Sequence, residues 1–146
     1  MTVEGSLIST VGFLLGKLGQ QANGQFADRL APLGLRPRHC AVLELLAGEP
    51  RAQLELAKAV GVTASVVVDM LDELEKLGAV RRVRDTTDRR RQLIELTPTG
   101  QDLRRQTLSL ARQNDEELLS AIDPAEVAAL RQILGRIAAA TGLVGK

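Results

Sequence analysis

Apolar positions along the chain recur mostly three or four residues apart. Leu7, Val11, Leu14, Leu18, Ala22, Phe26 and Leu30 form one such series, which predicts a long first helix within about residues 5–31. Gly12, Gly16, Gly19 and Gly24 fall inside it, and each lowers helix stability by about 1 kcal/mol relative to alanine. Two readings fit them: a weakened helix held by tertiary packing, or a small-residue face that lets another backbone come close. Pro32 and Gly34 end the series. Pro37 suits the first turn of a second helix, which carries Cys40, Leu43 and Leu46 and stops near Gly48 and Pro50. A third helix covers about Gln53 to Val60 and ends at Gly61. Thr63 is a good cap for a fourth, with Val67, Leu71 and Leu74 on one face, ending before Gly78.

The period then changes. Val80–Arg84 and Gln92–Leu96 are short segments rich in branched apolar residues, separated by the charged stretch Asp85–Arg91. This predicts a β-hairpin with a long tip. Thr97-Pro98 opens a further helix, and Asp123-Pro124-Ala125-Glu126 opens the last with a capping box. That last helix carries Val127, Leu130, Leu134, Ile137 and Thr141 on one face. The fold class is mainly α with a small β-hairpin. The middle of the chain can form its own core. The first and last helices carry apolar stripes outside it, which packing on each other and on the same helices of a second copy would bury.

Composition narrows the function. The chain has 146 residues, 45% hydrophobic and 25% charged, which fits one globular domain of ordinary size. Phe13 and Phe26 are the only aromatics, so the stacking platforms used on single-stranded nucleic acid are missing. The apolar run from Leu7 to Leu18 is interrupted by Lys17 and is too short to cross a bilayer. With a single cysteine, Cys40, no intramolecular disulfide can form. A cytoplasmic protein with no membrane partner is expected.

One histidine and one cysteine cannot build a typical zinc set. Gly12–Lys17 has three residues between its glycines where a phosphate loop has four, and Leu18 stands where Ser or Thr belongs. No nucleophile elbow or histidine-based triad is present. These absences argue against an enzyme, a metal and a cofactor.

Gln53 to Leu71 has the requirements of a helix-turn-helix. Ala57 is small where the helices cross, Gly61 can take positive φ in the turn, and Val67 can seat the second helix. The hairpin sharpens the reading. Leu74-Glu75-Lys76-Leu77-Gly78-Ala79-Val80, then Arg81-Arg82, then Asp85 and Asp88-Arg89-Arg90, then Leu96-Thr97 and Gly100 resemble, in order and spacing, the wing signature of the MarR (multiple antibiotic resistance regulator) family. Leu33-Gly34-Leu35 and Ala41-Val42-Leu43 resemble the segment leading into that family's second helix. The likeness covers about Leu7 to Val144.

The resemblance implies a homodimer with a winged helix-turn-helix lobe over about residues 35–97. It also implies dimerisation helices at about 5–31 and 98–144. The implied function is a repressor of nearby genes that leaves double-stranded DNA when a small molecule, often a phenolic acid, or an oxidant acts on it. The alternative is a winged-helix protein-interaction module whose DNA binding is weak or lost.

Charge is concentrated where DNA contact would need it. The overall formal charge is +1, yet Arg81–Arg91 holds six arginines against two aspartates, leaving the rest of the chain three charges negative. By resemblance, Arg90 is the wing-tip arginine of the minor groove and Asp88 orients it; a planar, weakly hydrated guanidinium suits that groove. Arg89 and Arg91 are candidates for phosphate contacts or salt bridges. Arg81, Arg82 and Arg84 either face phosphate or pair with acidic residues of the core.

The fourth helix departs from the family. Its exposed face offers Ala64, Ser65, Val68 and Asp69 for base reading, and from Thr63 to Leu77 it carries Asp69, Asp72, Glu73 and Glu75 against Lys76 alone. Either the small residues read thymine methyls and Asp69 accepts from cytosine N4, or DNA affinity is weak. For an aromatic or carboxylate effector, Arg36, Arg38 and His39 at the start of the second helix are the candidates, against a reading in which the arginines are solvated and His39 caps. Cys40 reads as a small buried hydrophobe; the family's peroxide sensors carry their cysteine in the first helix with tyrosine partners, and this chain has neither.

Overall fold

The structure, a computed structural model, describes residues 5–143. It divides into two compact units, Met1–Ala111 and Arg112–Lys146. The first holds α1 (Val11–Leu30), α2 (Pro37–Leu46), β1 (Arg51–Ala52), α3 (Gln53–Val60), α4 (Ala64–Lys76), β2 (Val80–Arg84), β3 (Gln92–Leu96) and most of α5 (Pro98–Leu118). The end of α5 and α6 (Pro124–Ala140) belong to the second.

The first helix starts later than its apolar period suggests. Leu7–Ser9 form a single 3₁₀ turn, and Thr10 becomes the cap of α1, its hydroxyl accepting from the Phe13 amide at 3.3 Å. A capping hydroxyl in extended backbone outweighs a periodicity that runs on through the turn. None of Gly12, Gly16, Gly19 and Gly24 has a neighbour within 4 Å of where a side chain would stand. α1 also leaves Val11, Leu14, Leu15 and Leu18 exposed, and α6 leaves Ile133, Leu134 and Ile137 exposed.

The core of the first unit is one cluster. Leu43 and Leu46 of α2, Leu56 of α3, and Val67, Leu71 and Leu74 of α4 close on Val80 and Ile94 of the sheet. The spacing of the α4 residues is the i, i+4, i+7 row that makes one buried face. Gly61 takes φ +80° between α3 and α4, and its amide returns to Ala57 and Lys58. A side chain there would be strained, so the turn angle of the helix pair depends on this glycine.

The sheet has three antiparallel strands in the order β1-β3-β2. β2 and β3 form the expected hairpin, with Val80 opposite Leu96 and Arg84 opposite Gln92. β1 is an addition to the expected layout: Arg51 and Ala52 pair with Ile94 and Leu93 on the outer edge of β3. At the foot of the hairpin, Thr97 caps α5, its hydroxyl accepting from the Gly100 amide at 3.0 Å. In the second unit, Asp123 and Glu126 form the reciprocal capping box that opens α6, with bonds of 2.9 and 3.0 Å. No helix among the described residues is long and apolar enough to cross a membrane.

Candidate nucleic-acid interface

The hairpin tip is built by its own aspartates. Asp85 accepts from the Thr87 amide at 2.9 Å, and these backbone bonds hold its carboxyl below the usual carboxylate range, with Arg91 adding a smaller pull. Asp88 Oδ1 accepts from the Arg90 amide at 3.1 Å and from Arg90 Nε at 3.2 Å. The same aspartate therefore fixes both the backbone and the side-chain stem of Arg90. The Arg90 side chain is nevertheless 91% exposed, so its charge is displayed to solvent.

The remaining arginines divide into two groups. Arg84 donates to the Arg89 carbonyl at 3.1 Å, and together with Arg82, Arg89, Arg90 and Arg91 it lines an arginine-rich hollow of about 450 Å³ on the hairpin. Arg91 is also drawn back toward α3, with Glu55 at 2.8 Å. Arg81 pairs across the hairpin with Glu95. Arg82 turns inward: its guanidinium reaches Asp72 at 2.7 Å and Glu75 at 3.1 Å, both on α4. Of the two roles open to Arg81 and Arg82 from sequence, both make ion pairs.

The acidity of α4 changes meaning in this setting. Asp72 and Glu75 are paired with Arg82, and Glu73 is paired with Arg36, whose Nη2 lies 2.9 and 3.0 Å from its two carboxylate oxygens. Asp69 alone of the four has no ion pair among the described residues. Its neighbours on the outer face, Ala64 and Ser65, are exposed, and Val68 is half-buried. The end of α4 nearest Thr63 thus presents a small, nearly uncharged surface. Thr63 caps the helix and its hydroxyl also lies 3.2 Å from that of Ser65. Sequence reasoning left pairing of Arg82 open but could not name these partners, which are 7 to 37 residues apart, with no local spacing to reveal them.

A second feature lies behind α4. Asn23 and Ala27 of α1, Arg36 and Arg38, and Val66, Asp69, Met70 and Glu73 of α4 line a cleft of about 650 Å³. Two of the three sequence-proposed effector residues, Arg36 and Arg38, border it. His39 does not: its ring is buried, and Nδ1 accepts from the Arg36 amide at 2.9 Å, closing the α2 cap. Its Nε2 comes within 3.1 Å of Glu73 but off the hydrogen-bonding direction. Burial lowers the His39 pKa; the Glu73 charge opposes this and Arg36 reinforces it. Cys40, next in sequence, is half-buried, and desolvation pushes its thiol up to about 11, with a Thr107 hydrogen bond acting the other way. Among the described residues no cluster of His, Cys, Asp and Glu could hold a metal ion.

A helix-turn-helix whose second helix stands beside an arginine-tipped hairpin defines a winged helix-turn-helix protein. A sequence profile of the MarR family matches residues 33–91. A MarR-family transcriptional regulator from Rhodococcus sp. RHA1 is 32% identical, with 92% of this chain and 96% of that one aligned and a TM-score of 0.79. CouR from Rhodococcus jostii RHA1, solved bound to p-coumaroyl-CoA, is 33% identical over 92% of this chain and 95% of its own, with a TM-score of 0.73. The transcriptional repressor CouR bound to a 23-mer DNA duplex is 30% identical over 94% and 99%, with a TM-score of 0.78. The chain belongs to the MarR family of transcriptional regulators.

Proposed function

We propose that the chain is a sequence-specific repressor that binds double-stranded DNA as a homodimer in the cytoplasm and is released by a small aromatic or carboxylate effector. The observation that carries this reading is the division of the arginines. Arg36 and Arg82 occupy three of the four carboxylates of α4, and Arg84, Arg89 and Arg90 are left at the wing. Positive charge thus stands where phosphates and the minor groove would pass. Ala64, Ser65 and Val68 offer methyl groups and a hydroxyl to base edges, and Asp69 an acceptor for cytosine N4. Arg91 is shared between Glu55 and the phosphate side, and Asp88 holds Arg90 in place.

α1 in the first unit and α6 in the second each carry exposed apolar residues that a second copy could cover. Two copies would set their α4 helices in successive major grooves, about 34–36 Å apart. In the cleft bordered by Arg36 and Arg38, Arg36 is paired with Glu73, so Arg38 is the cation offered to a carboxylate effector, and CouR, solved bound to p-coumaroyl-CoA, is a relative with a small-molecule ligand. His39 serves this site from behind, by fixing the start of α2.

The test is binding to the duplex upstream of the chain's own gene, titrated at several salt concentrations against a scrambled duplex, for wild type and Arg90→Ala. Wild type should prefer the native duplex by about a thousandfold or more. Arg90→Ala should lose about tenfold or more on it, with dimerisation and melting temperature unchanged. Equal, weak and steeply salt-dependent binding to both duplexes would refute specific recognition and favour the interaction-module reading.

A further inference from the structure

Arg82 borders the arginine-rich hollow of the hairpin, but it is the arginine there that pairs with two carboxylates of α4. It lies on β2, its side chain is only 19% exposed, and one guanidinium meets two carboxylates of α4, Asp72 and Glu75, three residues apart. Residues at that spacing share a helix face, so the planar fork can take one oxygen from each. Asp72 also lies seven residues after Ser65, four after Val68 and three after Asp69. That puts it on the same outer stripe as the base-reading candidates. Left unpaired, Asp72 would present a negative charge to DNA from the middle of the reading surface.

We propose that Arg82 is a positioning residue for DNA recognition: it offsets one of the two charges of Asp72 and Glu75 and draws both carboxylates away from the reading face of the helix. The inference rests on the DNA-binding reading given above. Arg82 makes no phosphate contact. Its guanidinium is committed on two sides and largely covered, and the phosphate-facing charge comes from Arg84, Arg89 and Arg90. The pairing explains how so acidic a helix coexists with a DNA-binding wing.

The test is a charge-cancellation series on the full chain: wild type, Arg82→Gln, and the triple variant Arg82→Gln/Asp72→Asn/Glu75→Gln. The duplex from upstream of the chain's own gene is the probe, with affinity measured across a range of salt concentrations. Arg82→Gln uncovers two carboxylates within about a Debye length of the passing backbone and should weaken binding on the order of tenfold. The triple variant, in which all three charges of the triad are removed, should bind as tightly as wild type to within about threefold, or more tightly, and keep the wild-type salt slope.

A direct phosphate contact by Arg82 gives a different result. The triple variant would stay weak, and its slope would fall by about 0.9 for each phosphate that Arg82 had neutralised. That outcome overturns the proposal. A purely structural role for Arg82 would also leave the triple variant unrescued and overturn it. If Arg82→Gln fails to fold, the affinity and slope of the triple variant decide alone. A wild-type chain that does not distinguish native from scrambled duplex refutes the DNA reading itself, and this inference with it.

Discussion

Alanine at position 100 would place a methyl carbon 2.1 Å from the carbonyl oxygen of Ala79, and 2.6 and 2.9 Å from Cδ1 and Cγ of Leu96. Gly100 lies in the first turn of α5, where the chain leaves the hairpin and passes over the start of β2. The Ala79 carbonyl cannot retreat: Ala79 is fully buried, and that same oxygen accepts from the Thr97 amide at 3.0 Å. Relief needs a shift of about 1 Å in the foot of the wing, because carbon atoms in contact stand about 3.5–4.0 Å apart. Overpacking against backbone costs about 3 kcal/mol, at the upper end for such insertions. The gain in helix propensity from glycine to alanine offsets about 1 kcal/mol, leaving a net loss of about 2 kcal/mol. For a chain of this size that lowers the melting temperature by about 4–8 °C. Thermal unfolding followed by far-ultraviolet circular dichroism measures it directly. A melting temperature equal to wild type or higher would refute the close packing of α5 on Ala79.

Three further outcomes are expected. Gly16 has open space around it in the single chain, so Gly16→Ala should raise the melting temperature by about 3 °C through helix propensity alone; a fall accompanied by weaker self-association in sedimentation would contradict this and put a second backbone against α1. His39 has its pKa depressed in the fold, so its contribution to stability is present above the unfolded value of 6.5 and is lost as pH falls through the folded value. His39→Gln keeps an acceptor for the Arg36 amide without titrating, and denaturant midpoints from pH 7 to 5 should fall less steeply than in wild type; parallel curves would show that His39 is not the group responsible. The Cys40 thiol, pushed up to about 11, should alkylate with iodoacetamide far more slowly at neutral pH than a free thiol, and Cys40→Ser should leave peroxide sensitivity of DNA binding unchanged; rapid alkylation of the folded chain would contradict its burial.

Much of the fold was legible because its boundaries are marked by residues with local chemistry. Thr63, Thr97-Pro98 and Asp123 with Glu126 opened α4, α5 and α6 where the sequence placed them, and Gly61 made the turn at positive φ. The start of α1 was misplaced because Leu7 keeps the helical period while Thr10 stops the helix. β1 was not foreseen, since two residues, Arg51 and Ala52, carry no alternation; they are a strand only because β3 has a free edge for them. In the candidate site, the wing arginines were legible as a charge cluster. Their division into those facing solvent and those paired inward was not, because ion pairs such as Arg36–Glu73 and Arg82–Asp72 depend on the tertiary packing of α2, α4 and β2. The acidic character of α4, read from sequence as evidence against tight DNA binding, loses most of that force once its partners are known.

The strand order β1-β3-β2 has a mechanical consequence. Leu93 and Ile94 are hydrogen-bonded to neighbours on both sides, whereas Gln92 has a partner only on β2. The hairpin is therefore clamped by strand pairing at its base and held beyond it by the Arg91–Glu55 pair to α3, like a cantilever with one side stay. Bending is expected to concentrate in the segment from Asp85 to Arg90. Changes of length or sequence there should alter the reach of the wing without disturbing the core, so this segment is where related proteins can adapt to operators of different groove width while keeping one scaffold.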